Sequence, residues 1–275
     1  MNLSEGIVPP ACLREVTAVE ISWYGTAALC ISHAGHKIIF DPFVSRNPNS
    51  PRISVQELAQ MGDIFITHGH FDHTLDVPAV AALGKSKVFC SAETARQLIK
   101  RGAPAQQVVA INPGEIISNG PFTIRVLKGQ HIRFDLKLMF QTLFNRRLVG
   151  HFREFVNIIR TLRNCPQGQV LVYEISWENT KVLHLGSLSL CADEEYPRGA
   201  SVLCVPFQGR SDLSTYTLPF IEKLKPHSIF LHHFDDTFPP ISSQVDCATF
   251  AALVRRLYPE ITVIIPEFGV NYSIA

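Results

Sequence analysis

The chain has 275 residues, 46% of them hydrophobic and 18% charged, with a formal net charge of +1. That balance is ordinary for a water-soluble globular protein and lacks the basic excess used to hold nucleic acid, so no nucleic-acid partner is expected. The opening MNLSEGIVPPACLREV has neither the basic start nor the apolar run of a secretory signal, and no segment supplies about 18 uninterrupted apolar residues for a membrane span; a cytoplasmic location is expected.

Taken in chain order, three short β-rich stretches (19–24, 28–32 and 37–40), separated by Gly25 and by Ala34-Gly35, predict an antiparallel start. A loop rich in Pro, Asn and Ser follows Asp41-Pro42, then a short helix near 55–59. Residues 64–67 predict a brief apolar strand that leads directly into a run of histidines. Strands at 87–90, 107–111 and 122–127 alternate with helices at 77–83 and 93–101. The second half continues with strands at 170–175, 181–185, 201–205, 228–231 and 262–265, and helices at 217–224 and 245–257. This order predicts packed sheets covered outside by helices, in one domain over residues 1–275.

Between 136 and 163 the rhythm changes. Leu136, Phe140, Leu143, Phe144, Leu148, Phe152, Phe155, Ile159 and Leu162 recur at helical spacing, and the polar face carries Lys137, Arg146, Arg147, Arg153, Arg160 and Arg163 against Glu154. A helical insertion is expected here, as one basic amphipathic helix or a pair broken near Gly150. Three uses fit it: peripheral contact with an anionic membrane, a cover over the active site, or a solvated cationic face above an ordinary buried stripe.

The cysteines (Cys12, Cys30, Cys90, Cys165, Cys191, Cys204 and Cys247) show no close pairs and read as reduced thiols; Cys30, Cys90 and Cys204 sit in apolar runs as small core residues.

The strongest chemical signal is His68-x-His70-x-Asp72-His73, four metal-ligand side chains within six residues after a predicted strand. Imidazole nitrogen with carboxylate oxygen suits zinc and its neighbours, so Zn2+, as one or two ions, is the expected cofactor, with Mn2+ or iron as alternatives.

In these residues the chain resembles the metallo-β-lactamase superfamily, whose signature is His-x-His-x-Asp-His. The resemblance implies an α/β fold, a four-layer αββα sandwich with the site at one edge of the two sheets. It implies that His68, His70 and His131 hold one metal, and that Asp72, His73 and His233 hold a second. His233 is preferred to His232 because of the aromatic residue that follows it, and because adjacent strand residues face opposite sides. His33, His36, His151, His184 and His227 lack this context and are expected to be structural. Asp41 resembles the family's early aspartate and would fix a ligand histidine through its second ring nitrogen.

One position departs from the family pattern. Where an aspartate bridging the two metals is expected, the chain reads Gly186-Ser187, and a neutral hydroxyl supplies no charge against two divalent ions. Weaker binding of the second ion is expected, unless Asp193, Asp235 or Asp236 compensates.

The expected activity is that of a metal-dependent hydrolase, directing a metal-bound hydroxide at an ester, lactone or phosphodiester bond. Asp72, if not committed to a second metal, would orient the water or pass a proton, while Gln208, Arg210 and Ser211 could reach an anionic substrate, Arg210 being the better candidate. The resemblance extends to the branch of sugar-phosphate lactone hydrolases and phospholipid-cleaving phosphodiesterases, which implies a small-molecule or lipid-like substrate. Two other readings stay open: a mononuclear or di-iron redox enzyme on the same ligands, and a non-catalytic metal-binding module marked by Ser187.

Overall fold

The computed structural model describes residues 18–133, 165–237, 239 and 242–274. The expected insertion at 136–163 lies outside them. Two seven-stranded sheets make up the interior. In the first, β1 (Val19–Trp23), β2 (Leu29–His33) and β3 (His36–Phe40) form an antiparallel meander. It continues in parallel through β4 (Asp63–Phe65), β5 (Val88–Cys90) and β6 (Val108–Ala110). The parallel steps need crossover connections. These contain α1 (Val55–Leu58), then α2 (Phe71–Thr74) with α3 (Val77–Leu83), then α4 (Ala92–Lys100).

The second sheet repeats this plan. β7 (Ile116–Asn119), β8 (Phe122–Lys128), β9 (Leu171–Trp177) and β10 (Thr180–His184) are antiparallel. β11 (Val202–Pro206), β12 (Ser228–His232) and β13 (Thr262–Ile264) then run parallel. Between them come α5 (Leu213–Tyr216), α6 (Leu218–Leu224) and α7 (Cys247–Leu257). The last strand, β14 (Asn271–Ile274), returns to the first sheet and pairs with β1.

Period-two alternation sorts the side chains into layers. On β3, Ile38 and Phe40 face the other sheet, where Phe40 meets the rings of Tyr173 and His184 at 5.4 and 4.7 Å. Ile39 points the other way and joins Ile64, Val88, Leu58, Val80 and Leu98 beneath α1, α3 and α4. Each such fully buried aliphatic or aromatic side chain contributes about 1.5–3 kcal/mol relative to exposure. Across the second sheet Phe207 packs on Phe250 of α7 at 4.8 Å, and Ile221 and Leu224 of α6 are equally buried. The layers are therefore helix, sheet, sheet, helix, the αββα sandwich expected from the sequence.

Side-chain caps fix the helix starts. Ser54 and Glu57 form a capping box on α1, Ser91 accepts from the Thr94 amide on α4, and Asp246 accepts from the Ala248 and Thr249 amides on α7. β7 and β14, which the sequence reading lacks, are both edge strands. Each pairs on one side only and leaves part of its apolar surface in water, with Ile116 exposed, so neither shows a strong hydrophobic run. Among the described residues no helix is long and apolar enough to cross a membrane.

The topology aims one rim of the sandwich at chemistry. Asp41 follows β3, the histidine run follows β4, His131 follows β8, Ser187 follows β10 and His233 follows β12, all at carboxyl ends of strands pointing the same way. Open α/β sheets usually bind ligands at that rim.

Candidate metal centre

Two groups of three ligand side chains meet there, His68 with His70 and His131, and Asp72 with His73 and His233, the ligand atoms of each group lying within 4.8 Å of one another. The donor set, five imidazoles and one carboxylate, fits divalent ions such as zinc, manganese or iron.

β4 ends at Phe65, and the chain then turns through Thr67 and His68 into His70, which stands at the N-cap of α2. A single helical turn carries Asp72 and His73 to the same side. Gly69 makes the turn possible, because a Cβ there would lie 2.2 Å from the Pro166 carbonyl oxygen, while its own amide donates to the Gln167 carbonyl at 2.7 Å. Thr74 donates its hydroxyl back to the His70 carbonyl at 2.9 Å. Arg101, just past α4, places its guanidinium on the Thr74 hydroxyl at 3.0 Å and on the Thr74 and Leu75 carbonyls at 2.7 and 3.0 Å.

On His68, His73 and His131 the ring nitrogen directed away from the centre is engaged. The buried Asp41 carboxylate accepts from the Thr67 amide (2.8 Å), the Thr67 hydroxyl (2.6 Å) and His73 Nδ1 (2.7 Å). With its proton committed to Asp41, the Thr67 hydroxyl accepts from His68 Nδ1 at 3.0 Å. His131 Nδ1 donates to the Ile132 carbonyl at 2.8 Å. Each bond selects the tautomer that leaves the other nitrogen a lone pair, an arrangement typical of metal-ligating histidines. His68 Nε2 faces His70 Nδ1 at 3.1 Å, and His233 Nε2 faces Asp72 Oδ2 at 3.1 Å.

Electrostatics divide the two groups. Burial, reinforced by the neighbouring imidazoles, holds His68 well below its ordinary pKa. Burial also pushes His70 down to about 4 and lowers His131, so this group presents neutral nitrogen donors. In the other group burial opposes charge on Asp72, but His73 and His233 outweigh it and hold the carboxyl below its usual range. Burial likewise opposes charge on His73, and Asp41 and Asp72 outweigh it to raise that imidazole.

His233 adopts a left-handed conformation with φ of 59°, and its amide donates to the Thr26 carbonyl at 2.7 Å. Thr26, also left-handed at φ 46°, gives its amide to the Asp235 carboxylate at 3.0 and 3.1 Å. A β-branched residue at positive φ is strained. With Asp41 at φ 44°, three non-glycine residues at this rim hold strained backbone, as functional sites often do. His232 points into the core beside His184, with ring centroids 5.1 Å apart, and belongs to neither ligand group.

Ser187 is buried, and its hydroxyl accepts from the Ile132 amide at 3.0 Å, tying the end of β10 to the His131 loop. Gly186 before it is pressed flat, since a Cβ would lie 2.4 Å from the Leu171 carbonyl oxygen. The three aspartates weighed as replacements for the absent carboxylate are engaged elsewhere. Asp193 pairs with Lys128 at 2.6 Å, Asp235 holds Thr26, and Asp236 accepts from Ser242 at 2.6 Å. Arg210 pairs with Asp212 at 2.6 and 2.8 Å, lies over the Tyr216 ring at 4.2 Å and donates to the Arg133 carbonyl at 3.0 Å. Gln208 reaches the Ser243 carbonyl at 3.5 Å. Beside the first ligand group opens a cleft of about 460 Å³ lined by His70, Gln130, His131, Ile132, Arg133 and Gln167.

Sequence reasoning does not find Thr67, Thr26, Thr74 or Arg101, because their roles depend on partners far away in the chain. Only Thr67, placed between a strand end and the first ligand, carries a local hint.

A UPF0173 metal-dependent hydrolase of Pyrobaculum neutrophilum is 35% identical over 104 residues, 37% of this chain and 45% of that protein. The chain thus spans under half the length of this curated relative. The structure of Igni18, a metallo hydrolase from Ignicoccus hospitalis, superimposes with a TM-score of 0.64 at 18% identity, covering 94% of this chain and 99% of the other. CmlA, a di-iron β-hydroxylase from Streptomyces venezuelae, gives 0.58 at 13% identity over 94% of this chain and 54% of that one. At such identities both structures share the fold alone. The beta-lactamase superfamily domain model matches residues 36–234, a span that runs from β3 to just past His233 and takes in every ligand above. On that match, with the αββα layers and two ligand groups at one rim, the chain belongs to the metallo-β-lactamase superfamily.

Proposed function

We propose that the protein is a hydrolase of an ester, lactone or phosphodiester bond, with zinc at His68, His70 and His131 and a second, weaker ion at Asp72, His73 and His233. The observation that carries this reading is the pair of ligand groups whose outward ring nitrogens on His68, His73 and His131 are fixed by Thr67, Asp41 and the Ile132 carbonyl. When bound, such an ion ionises water near neutral pH and polarises the oxygen of the bond to be broken.

The protein's own residues supply the remainder. Asp41 and Thr67 hold the imidazoles in one tautomer. Where the weaker second ion does not occupy it, Asp72, kept ionised by His73 and His233, would accept a proton from the water and return it to the leaving group. The asymmetry of the two ions follows from Ser187, which brings a neutral hydroxyl already engaged with the Ile132 amide. Beyond β11, Arg210, paired with Asp212, and Gln208 border the approach of a negatively charged substrate, Arg210 acting through the Arg133 carbonyl that it holds. A substrate of the phosphorylated-lactone or phospholipid kind suits this site, and the basic segment 136–163 suits contact with a lipid surface. The six described cysteines are all unpaired, which supports a reducing, cytoplasmic location.

The test is metal content per chain on purified protein, alongside hydrolysis of a lactone and of a phosphodiester. One or two zinc or manganese equivalents with turnover support the hydrolase. Iron without hydrolysis favours a redox enzyme on the same ligands, and absence of tightly bound metal after reconstitution overturns the catalytic reading. His70→Ala is expected to lose about one metal equivalent, while His232→Ala keeps the full complement, since its ring lies outside both groups.

A further inference from the structure

The metal centre has two unlike flanks. Asp41, Asp72 and Asp235 crowd the side of His73 and His233, through contacts to His73, to His233 and to the Thr26 turn that holds His233. On the other side lies the cleft beside His70 and His131, and its described lining contains no carboxylate. It offers the carboxamides of Gln130 and Gln167 and the guanidinium of Arg133, all three side chains being exposed. Arg133 makes no ion pair among the described residues, whereas Arg210 is committed to Asp212. Arg210 instead braces the backbone of Arg133 through its carbonyl, and Ser187 braces the adjoining Ile132 amide. Gln167 is fixed in turn by its carbonyl, which accepts from Gly69 within the ligand run. The cleft is large enough for a small organic molecule.

We infer that this cleft receives an anionic group of the substrate, with Arg133 as its counter-charge and Gln130 and Gln167 as flanking donors. The substrate is then an ester or lactone carrying a carboxylate or phosphate apart from the bond that is cleaved. It lies over the His70 and His131 half of the centre, leaving the acidic flank for the water and the departing proton. Guanidinium suits the role because it binds either oxyanion through two parallel N–H donors. The assignment rests on the hydrolase reading for the bond cleaved, but anion binding in the cleft does not.

The test therefore has two arms. Glutarate and glycerol 1-phosphate are titrated at low salt into metal-free wild type, Arg133→Gln and Arg133→Lys, with 1,3-propanediol as the neutral control. Wild type is expected to bind at least one anion, Arg133→Gln to bind it about tenfold more weakly, and Arg133→Lys to recover part of the loss. The anion bound more tightly identifies the carboxylate or the phosphate source. In the second arm, zinc-loaded protein is given 4-nitrophenyl acetate and mono-4-nitrophenyl glutarate. The ratio of kcat/KM, charged over neutral, is expected to fall about tenfold in Arg133→Gln. Equal anion affinity in wild type and Arg133→Gln, or no anion binding above the diol control, overturns the assignment. Anion binding that depends on Arg133, with neither ester cleaved, leaves the cleft intact and counts against the hydrolase reading.

Discussion

Asp41 carries more of this centre than its place outside the two ligand groups implies. Its carboxylate is buried, sits at positive φ and takes three hydrogen bonds, one of which orients His73 directly and another of which orients His68 through Thr67. Asp41→Asn keeps the size but replaces one acceptor oxygen with a donor, so the Thr67 amide on one oxygen and the Thr67 hydroxyl with His73 Nδ1 on the other can no longer all be satisfied. Metal affinity is expected to fall about 10- to 100-fold, read by competition with a chromophoric chelator; unchanged affinity would remove Asp41 from the site. His184 behaves differently. It is fully buried against Phe40 and His232, and neither of its ring nitrogens has a hydrogen-bond partner among the described residues. Burial, aided by His73 and opposed by Asp41, lowers its pKa to about 4. A histidine depressed in the folded state is neutral there while the unfolded chain takes up a proton below about pH 6.5. The stability it contributes is therefore complete above that pH and is lost as pH falls towards 4. In metal-free protein, His184→Leu is expected to match or exceed wild-type stability at pH 8. Its advantage should grow by up to about 1.4 kcal/mol per pH unit below 6.5, measured by urea unfolding. Parallel pH profiles for the two proteins would show that His184 is not the acid-sensitive group.

At the scale of elements, the short helix α2 would be marginal alone, being one turn with no side-chain cap at its start. Arg101 compensates by placing a positive charge and three hydrogen bonds on its last turn, with a further contact to Cys165 Sγ at 3.4 Å. Arg101→Gln is expected to loosen Asp72 and His73 together and to lower affinity for the second ion more than for the first. Stepwise Co2+ titration, followed by the visible absorption of each bound ion, separates the two. Arg101→Lys should restore part of the second step, and equal loss at both steps would point to general destabilisation instead. The same scale explains what the sequence left illegible. Strands buried on both faces, such as β3, β4, β11 and β12, announce themselves as apolar runs, and the ligand run stands out because its residue types are rare together. The edge strands β7 and β14 lack that contrast. The turn at Thr26 is less visible still: nothing local marks a threonine that must adopt left-handed backbone, because the demand comes from Asp235 and His233, more than two hundred positions away.

For the whole molecule, packed sheets covered by helices were readable because alternating strands and helices permit few arrangements, while the four-layer order and the rim came from the family resemblance, and the fold gives the reason, since parallel strands place their carboxyl ends together. His131 and His233 could be chosen from the sequence only through family resemblance; the fold supplies the physical reason, since β8 and β12 end on the same rim as β4. Arg133, which the sequence reading did not single out beside Arg210, was not readable as a candidate. In sequence both are arginines in polar loops, and only the three-dimensional structure shows Arg210 paired with Asp212 and Arg133 beside the cleft. The rim opposite the metal centre has its own character. There the chain reverses through tight turns, at Ala34-Gly35 between β2 and β3 and at Glu178-Asn179 between β9 and β10, all exposed and with Ala34, Gly35 and Glu178 at positive φ. The molecule thus has a working end and a handle. A single cysteine at Asn179, used to tether the protein to a bead or electrode, would turn the rim with the two candidate ligand groups and the Arg133 cleft towards bulk solution, with the length of the strands between chemistry and support.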